Sequence, residues 1–256
     1  VYKKHRPLRS LGQNFLIDGS VADMQIEAAE LTGPERVLEI GPGTGILSRR
    51  IIEKLTSGYY YAIEKDRILC SRLSEEMKGL SHAEIRCGDA MKLDWPKFDV
   101  MVSNIPYNIS TPFTLKLLSE SFSRAVVMYQ KEFPERLIAS PHTRDYGRLT
   151  VYVYMRASIE KITNVPPTAF EPKPEVASTI VRIRPKAPPF ETDMKLFEEV
   201  TRLIFLQRRK KIKNCLKPLL NGRASESSIP YADSRAEELA PEQINEIVLW
   251  LEEYGD

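Results

Sequence analysis

The sequence predicts an α/β fold, a mostly parallel sheet with helices on both faces, followed by a small all-helical C-terminal domain. Three observations predict it. Short β-branched runs alternate with longer amphipathic stretches from Arg36 to Tyr129, a glycine-rich turn leads from the first such run into a helix, and beyond Pro185-Lys-Ala-Pro-Pro the apolar residues recur at helical spacing. At 256 residues the chain has room for two domains. The Pro-rich linker places them at 1–185 and 186–256.

The expected strands are Val37–Ile40, Tyr59–Ile63, Ala83–Cys87, Asp99–Ser103 and Ala125–Tyr129, each short and rich in Val, Ile, Tyr or Met. Between them, Ile46–Leu55 and Asp66–Met77 carry helical spacing. Ser110-Thr-Pro-Phe reads as a helix start, with Pro112 in the first turn and Ser110 or Thr111 as cap. Leu149–Arg156 stays open, because its Val and Tyr content favours a strand while its place in the order suits a helix. Val165-Pro-Pro-Thr-Ala-Phe-Glu-Pro-Lys-Pro is too proline-rich for regular structure and reads as a loop between two final strands, the second being Ser178–Arg184. In the tail, three groups repeat as helices do: Leu196, Phe197, Val200, Leu203 and Ile204; Ile212, Leu216 and Leu219; and, after Pro241, Ile244, Ile247, Val248 and Leu251.

Hydrophobic content of 42% and charged content of 28% are ordinary for a globular protein. No apolar run approaches the ~20 residues that span a bilayer. The basic start, Val1 to Pro7, leads into no apolar signal segment, so a cytoplasmic protein is expected. Cys70, Cys87 and Cys215 form no CxxC pair, and His5, His82 and His142 lack ligand spacing, so neither a disulfide framework nor a metal site is expected. The net charge is only +2, but it is segregated. Lys3, Lys4, Arg6 and Arg9 crowd the start; Arg208, Arg209, Lys210, Lys211, Lys213 and Lys217 crowd one stretch; acidic residues gather from Glu226 onward. Such a pattern suits contact with a polyanion such as RNA, and it is also what a solvated helix face looks like.

The turn after the first strand is Gly41-Pro-Gly-Thr-Gly45, a layout in which glycines let the backbone approach a nucleotide-like ligand. A dinucleotide fingerprint would need its third glycine at position 46, where Ile46 stands. Glu39-x-Gly41-x-Gly43-x-Gly45 instead resembles the first motif of class I methyltransferases, whose cofactor has no pyrophosphate. Glu64 ends the next strand 19 residues after Gly45, where a carboxylate can accept hydrogen bonds from ribose hydroxyls; Lys65 follows it. After the third strand, Asp89 and Ala90 stand where an aspartate can accept from an adenine amino group, although such a residue is also commonly a loop cap.

Asn104-Ile-Pro-Tyr107 follows the fourth strand. An exocyclic adenine amine is a poor nucleophile, because its lone pair is delocalised into the ring. The Asn104 side-chain carbonyl and the Ile105 backbone carbonyl can take its two hydrogens and draw the nitrogen toward tetrahedral geometry, while Pro106 biases Ile105 to an extended conformation. Tyr107 offers a face on which an extruded base can stack. Phe170 can close the other side of that pocket or pack in the core. Gln13-Asn-Phe-Leu16 can fold over the cofactor or simply enter a helix.

Together these motifs resemble the ribosomal RNA adenine dimethyltransferase family of the KsgA type: Leu11-Gly-Gln-Asn-Phe-Leu, Glu39-Ile-Gly-Pro-Gly-Thr-Gly, Gly88-Asp-Ala, Asn104-Ile-Pro-Tyr-Asn-Ile-Ser-Thr, Phe170-Glu-Pro-Lys-Pro-Glu-Val and Phe205-Leu-Gln-Arg-Arg-Lys-Lys. Tyr129-Gln-Lys-Glu-Phe and Tyr146-Gly-Arg-Leu look closer to its archaeal and eukaryotic members. The resemblance implies a Rossmann-like, class I methyltransferase fold with a mostly parallel seven-stranded sheet. It also implies S-adenosylmethionine as methyl donor and S-adenosylhomocysteine as product. It implies cofactor contacts at Asn14, Leu16, Gly41, Glu64, Asp89 and Asn104, and Gln13, Gly43, Gly45, Lys65 and Ala90 in the same segments are further candidates from the residues themselves. It also places Asn104 and Tyr107 in the catalytic pocket, to which the chemistry of the residues adds Ile105, Pro106 and Phe170 as catalytic candidates. The charge segregation makes Lys3, Lys4, Arg6, Arg208, Arg209, Lys210 and Lys211 the candidate RNA contacts. The implied substrate is a pair of adjacent adenines near the 3′ end of small-subunit rRNA, met by a monomer on the subunit or its precursor. A large-subunit methyltransferase of the antibiotic-resistance type, a DNA adenine methyltransferase and a non-catalytic assembly factor are the competing readings.

Overall fold

The computed structural model describes residues 13–220 and 228–254. Its strands are β1 (Phe15–Leu16), β2 (Arg36–Ile40), β3 (Tyr59–Glu64), β4 (Ala83–Cys87), β5 (Val100–Asn104), β6 (Arg124–Gln130), β7 (Ala157–Val165), β8 (Phe170–Glu171) and β9 (Ser178–Pro185). Its helices are α1 (Gly19–Ala28), α2 (Ile46–Lys54), α3 (Arg67–Glu76), α4 (Ser110–Leu117), α5 (Phe133–Leu137), α6 (Arg148–Arg156), α7 (Met194–Leu206), α8 (Ile212–Cys215), α9 (Lys217–Leu220) and α10 (Pro241–Tyr254). Seven strands form one sheet in the order β4-β3-β2-β5-β6-β9-β7. From β4 to β6 neighbours run parallel, and β9 joins β6 antiparallel. The sheet is that of a class I methyltransferase, as expected.

The strand order creates the site. From β2 the chain crosses to β3 on one side, and from β5 it crosses to β6 on the other, so a crevice opens at the carboxyl ends of β2 and β5. The ladder between these two strands holds only Val37↔Val100 and Leu38↔Met101, whereas β2 and β3 pair over five residues. Where the ladder ends, the Ile40 amide donates to the Ser103 hydroxyl at 2.9 Å, so a side chain replaces the missing carbonyl and the strands part without an orphaned donor. On the face covered by α1, the buried Gln25 amide donates to the carbonyls of Ser103 and Val126, tying β5 to β6.

The described chain divides into two compact units. One comprises the residues up to Pro134 with Ile159–Pro185, and the other Glu135–Ser158 with the residues from Lys186 onward. A boundary at Pro185 coincides with the linker read from the sequence, but residues 135–158 group with the second unit. The reason lies in α6, whose Val151 and Met155 pack in one core with Phe197, Val200 and Ile204 of α7 and Ile247 of α10. The segment left open, Leu149–Arg156, is therefore helix. The other core lies under the sheet, around Val37, Leu47, Ile51, Tyr60, Val100, Val102 and Val126.

Three local expectations are corrected. Neither Ser110 nor Thr111 caps α4: a 3₁₀ turn over Tyr107–Ile109 runs straight into the helix, placing Ile109 at the cap, and the Ser110 hydroxyl donates back to the Tyr107 carbonyl. Cys70 and Cys87 are joined by a disulfide, which the absence of a CxxC pair did not foretell. Packing of α3 against β4 brings together residues 17 apart in sequence. The third tail repeat forms as one helix, α10, but the Ile212–Leu219 group breaks into the short α8 and α9. Among the described residues no helix is long and apolar enough to cross a membrane.

Candidate active site

The crevice holds a cavity of about 290 Å³, lined entirely by residues of the first unit. Gln13, Asn14, Gly41, Gly43, Glu64, Lys65, Asp89, Ala90, Asn104, Ile105, Pro106, Tyr107 and Phe170 all line it, so the structure gathers these sequence-predicted residues around one space. Leu16 and Gly45 do not. Adjacent residues of a strand face opposite ways, so Phe15 fronts the cavity while Leu16 is buried in the core. Gly45 sits at the N-cap of α2 with φ +82°, where its lack of a side chain serves the turn. Sequence reasoning missed Phe15, Ile40, Ile63, Gly88, Met91, Asn108, Ile109 and Met128. Strand ends next to the recognised motifs were the available signal for most of them. Met128 is the exception, since only the register Asn104↔Met128 brings it in.

At one end of the cavity the Glu64 carboxylate fastens the glycine turn. One oxygen accepts from the Gly43 amide at 2.9 Å and the other from the Asp66 amide at 2.8 Å. Burial raises its pKa. Gly43 has φ +58°, and a Cβ there would lie 3.1 Å from the Phe15 ring, so this turn needs glycine for both conformation and space. The N-terminal segment is held over the turn from two sides. Gln13 donates to Asp66 at 3.0 Å, and β1 pairs antiparallel with β8, Leu16 opposite Phe170. The predicted cofactor segment and the predicted base-stacking Phe170 thus belong to one small ribbon.

Farther along, the Asp89 carboxylate accepts from the Met91 amide at 3.0 Å and pairs with Lys65 at 3.0 Å. Its pKa is lowered, first by the Lys65 hydrogen bond. Glu39, the acid of the glycine motif, does not reach the cavity. It is buried beneath, accepting from the hydroxyls of Ser48 (2.7 Å) and Tyr60 (2.6 Å), and burial pushes its pKa up to about 7.

At the tip of β5, the Asn104 Oδ1 is buried and without a hydrogen-bond partner among the described residues. An amide oxygen removed from water with nothing to accept is unfavourable by roughly 1–3 kcal/mol, and the residue that carries it lines the cavity. Pro106 is extended, with ψ 132°. The Tyr107 hydroxyl is 2.6 Å from the Ser178 hydroxyl, which fixes the ring, and burial raises the Tyr107 pKa. Phe170 is buried at 3% exposure, packs in the core of the first unit and also lines the cavity.

The basic cluster divides. Arg208 donates to Glu237 (2.6 Å) and to the carbonyls of Arg144 and Thr143 (both 3.0 Å), and Lys211 pairs with Asp233 at 2.8 Å. Arg209 and Lys210 are exposed, and no ion pair among the described residues involves them. Lys3, Lys4 and Arg6 lie outside the described residues. Among those described, no group of three or more His, Cys, Asp or Glu is placed to hold a metal ion.

With this geometry in hand, comparison with known proteins is specific. Residues 4–253 match the family model described as ribosomal RNA adenine dimethylase. A Thermococcus gammatolerans protein named probable ribosomal RNA small subunit methyltransferase A is 39% identical, over 100% of this chain and 93% of its own. A Pyrococcus furiosus protein of the same name is 38% identical, over 97% and 93%. Among solved structures, a dimethyladenosine transferase from Plasmodium falciparum aligns with TM-score 0.81 and 29% identity, covering 94% of this chain and 98% of its own. The 23S rRNA methyltransferase ErmE aligns with TM-score 0.66 and 27% identity, covering 93% and 100%.

Proposed function

Because the chain belongs to the ribosomal RNA adenine dimethylase family, we propose that it methylates the N6 amino groups of two adjacent adenines near the 3′ end of small-subunit rRNA, twice each, during ribosome maturation. The small-subunit assignment is supported by the names of its archaeal relatives and by the higher structural similarity to the dimethyladenosine transferase than to the large-subunit enzyme. The observation that carries the chemistry is Asn104 in the cavity wall, with a buried side-chain oxygen that has no hydrogen-bond partner among the described residues.

The cavity fits S-adenosylmethionine. Glu64 and Asp89 present carboxylates for ribose hydroxyls and an adenine amine, Ile63, Met91 and Ile105 offer apolar walls, and Gly41 and Gly43 keep the backbone close. When bound, the cofactor supplies an electrophilic methyl group and leaves as S-adenosylhomocysteine. Gln13 and Asn14, held by the β1–β8 ribbon, close over it. Asn104 Oδ1 and the Ile105 carbonyl accept the two hydrogens of the target amine, and the first of these bonds fills a valence that the protein itself leaves empty. That demand is strongest as the nitrogen becomes tetrahedral, so the interaction favours the transition state over the ground state. The proton leaves only as positive charge develops on nitrogen, so orientation and electrostatics provide the acceleration and no strong base is needed. Tyr107, its hydroxyl anchored by Ser178, and Phe170 sandwich the extruded base. Arg209 and Lys210, with Lys3, Lys4 and Arg6, are proposed to meet RNA phosphates; Arg208 and Lys211 would have to exchange an internal partner to do so.

The similarity to ErmE sustains one second reading, methylation of large-subunit rRNA. Labelled S-adenosylmethionine offered to purified small subunits, large subunits and DNA, with mass-spectrometric mapping of the product, separates the two. Dimethyladenosine pairs confined to small-subunit rRNA support the proposal, and label confined to large-subunit rRNA overturns it.

A further inference from the structure

Between the two loops that carry the site's chemistry lies a lysine that neither the motifs nor the mechanism uses. Lys116 sits in the last turn of α4, the helix that follows the Asn104–Tyr107 loop directly. Its ammonium donates to the carbonyls of Ala90 at 3.0 Å and Leu93 at 2.6 Å, and lies 4.8 Å from the centroid of the Trp95 ring. The Trp95 indole N–H donates to the same Ala90 carbonyl at 2.8 Å. Trp95 is in turn packed edge-on against Phe98 and tilted against Phe113 of α4.

A lysine with no local task keeps its ammonium in water. Lys116 is half-buried instead, and its partners are two carbonyls and an aromatic face rather than a carboxylate. Both carbonyls belong to the turn that begins at Asp89, where the amides of Lys92 and Leu93 donate back to the Asp89 carbonyl. Lys116 thus gathers two carbonyls of this turn, sharing that of Ala90 with the Trp95 indole, as a cation at the end of a helical turn does. The turn carries Asp89, Ala90 and Met91 into the cavity wall.

We propose that Lys116 is a positioning residue: by clamping the Asp89–Leu93 turn to α4, it fixes the carboxylate and backbone that receive the adenine end of the cofactor, and so sets cofactor affinity while leaving methyl transfer itself untouched. This rests on the reading of the cavity as a cofactor site.

The test is calorimetric titration of S-adenosylhomocysteine, with steady-state kinetics on small subunits, for the wild type, Lys116→Met and Lys116→Arg, each checked for folding by circular dichroism. Loss of charge-assisted bonds at this level weakens cofactor binding and raises its KM by about tenfold in Lys116→Met, while kcat at saturating cofactor stays within about twofold. Lys116→Arg, which retains a cation and donors, recovers most of the affinity. Asp89→Ala combined with Lys116→Met loses less affinity than the two single losses added together, because the lysine acts in part through the carboxylate of that turn. A generally loosened protein would instead lose kcat and affinity together in both Lys116 variants, and that outcome overturns the proposal. Equal affinities in wild type and Lys116→Met overturn it while leaving the cofactor reading intact, whereas a wild type that takes up no cofactor overturns both.

Discussion

Replacing Glu39 with Gln should make the first unit more stable at neutral and alkaline pH and leave it little changed in acid. Glu39 is 1% exposed, accepts from Ser48 and Tyr60, and has its carboxyl pushed up from 4.5 to about 7 by burial. A carboxyl whose folded pKa is raised binds its proton more tightly in the folded state than in the unfolded one. Its contribution to stability is therefore fully present below about pH 4.5 and is lost as pH rises through about 7. At about 1.4 kcal/mol for each pH unit, the loss is on the order of 3 kcal/mol. A glutamine side chain cannot ionise, and its carbonyl can still accept from both hydroxyls. Any packing penalty of the amide is the same at every pH, so it cancels when the wild-type and Glu39→Gln stabilities are subtracted and compared across pH. Urea unfolding between pH 4.5 and 8, followed through the buried Trp95 of the first unit, measures this difference. The variant should gain about 2–3 kcal/mol relative to the wild type across that range. Stability profiles that stay parallel from pH 4.5 to 8 would refute the claim that this carboxylate is ionised at a penalty.

Two further expectations concern the turn and the basic cluster. Gly43→Ala forces φ +58° on a residue with a side chain and pushes against the Phe15 ring at 3.1 Å; it should lower stability by about 1–2 kcal/mol and weaken S-adenosylhomocysteine binding, with unchanged affinity contradicting the assigned turn. Arg209→Ala with Lys210→Ala should flatten the salt dependence of rRNA binding by about 1.5 in the log–log slope, while Arg208→Ala, which removes bonds to Glu237, Arg144 and Thr143, should chiefly lower thermal stability. Filter binding across a salt series and thermal melts check the two in turn, and an unchanged slope in the double variant would remove those two residues from the RNA contacts.

Much of the sheet was legible because its strands are short β-branched runs separated by helical spacing, and the residues at their carboxyl ends must meet where the crossovers diverge. That is why Gly41, Glu64, Asp89 and Asn104, scattered over 64 positions of sequence, line one cavity. What was hidden depends on long-range or parity information. The two-residue strands β1 and β8 carry no periodicity of their own, and each exists through its partner more than 150 positions away. Leu16, expected as a cofactor contact, is buried in the core while its neighbour Phe15 fronts the cavity, because one position along a strand reverses the face. The Cys70–Cys87 bond follows from the packing of α3 on β4 and not from spacing. Leu149–Arg156 is nearly all apolar or aromatic, and the i, i+4 pair Val151 and Met155 that makes it a helix emerges only against α7. Charge segregation marked a basic cluster, but the acidic tail that partly neutralises it, Asp233 and Glu237, became visible only once folded.

The most direct test of the catalytic account is single-turnover methyl transfer by Asn104→Ala, run beside calorimetry of S-adenosylhomocysteine binding. Deleting an acceptor engaged mainly in the transition state should slow transfer by about 10²–10³-fold, with cofactor affinity reduced only modestly. Transfer at the wild-type rate in a variant without that oxygen would contradict the role assigned to Asn104.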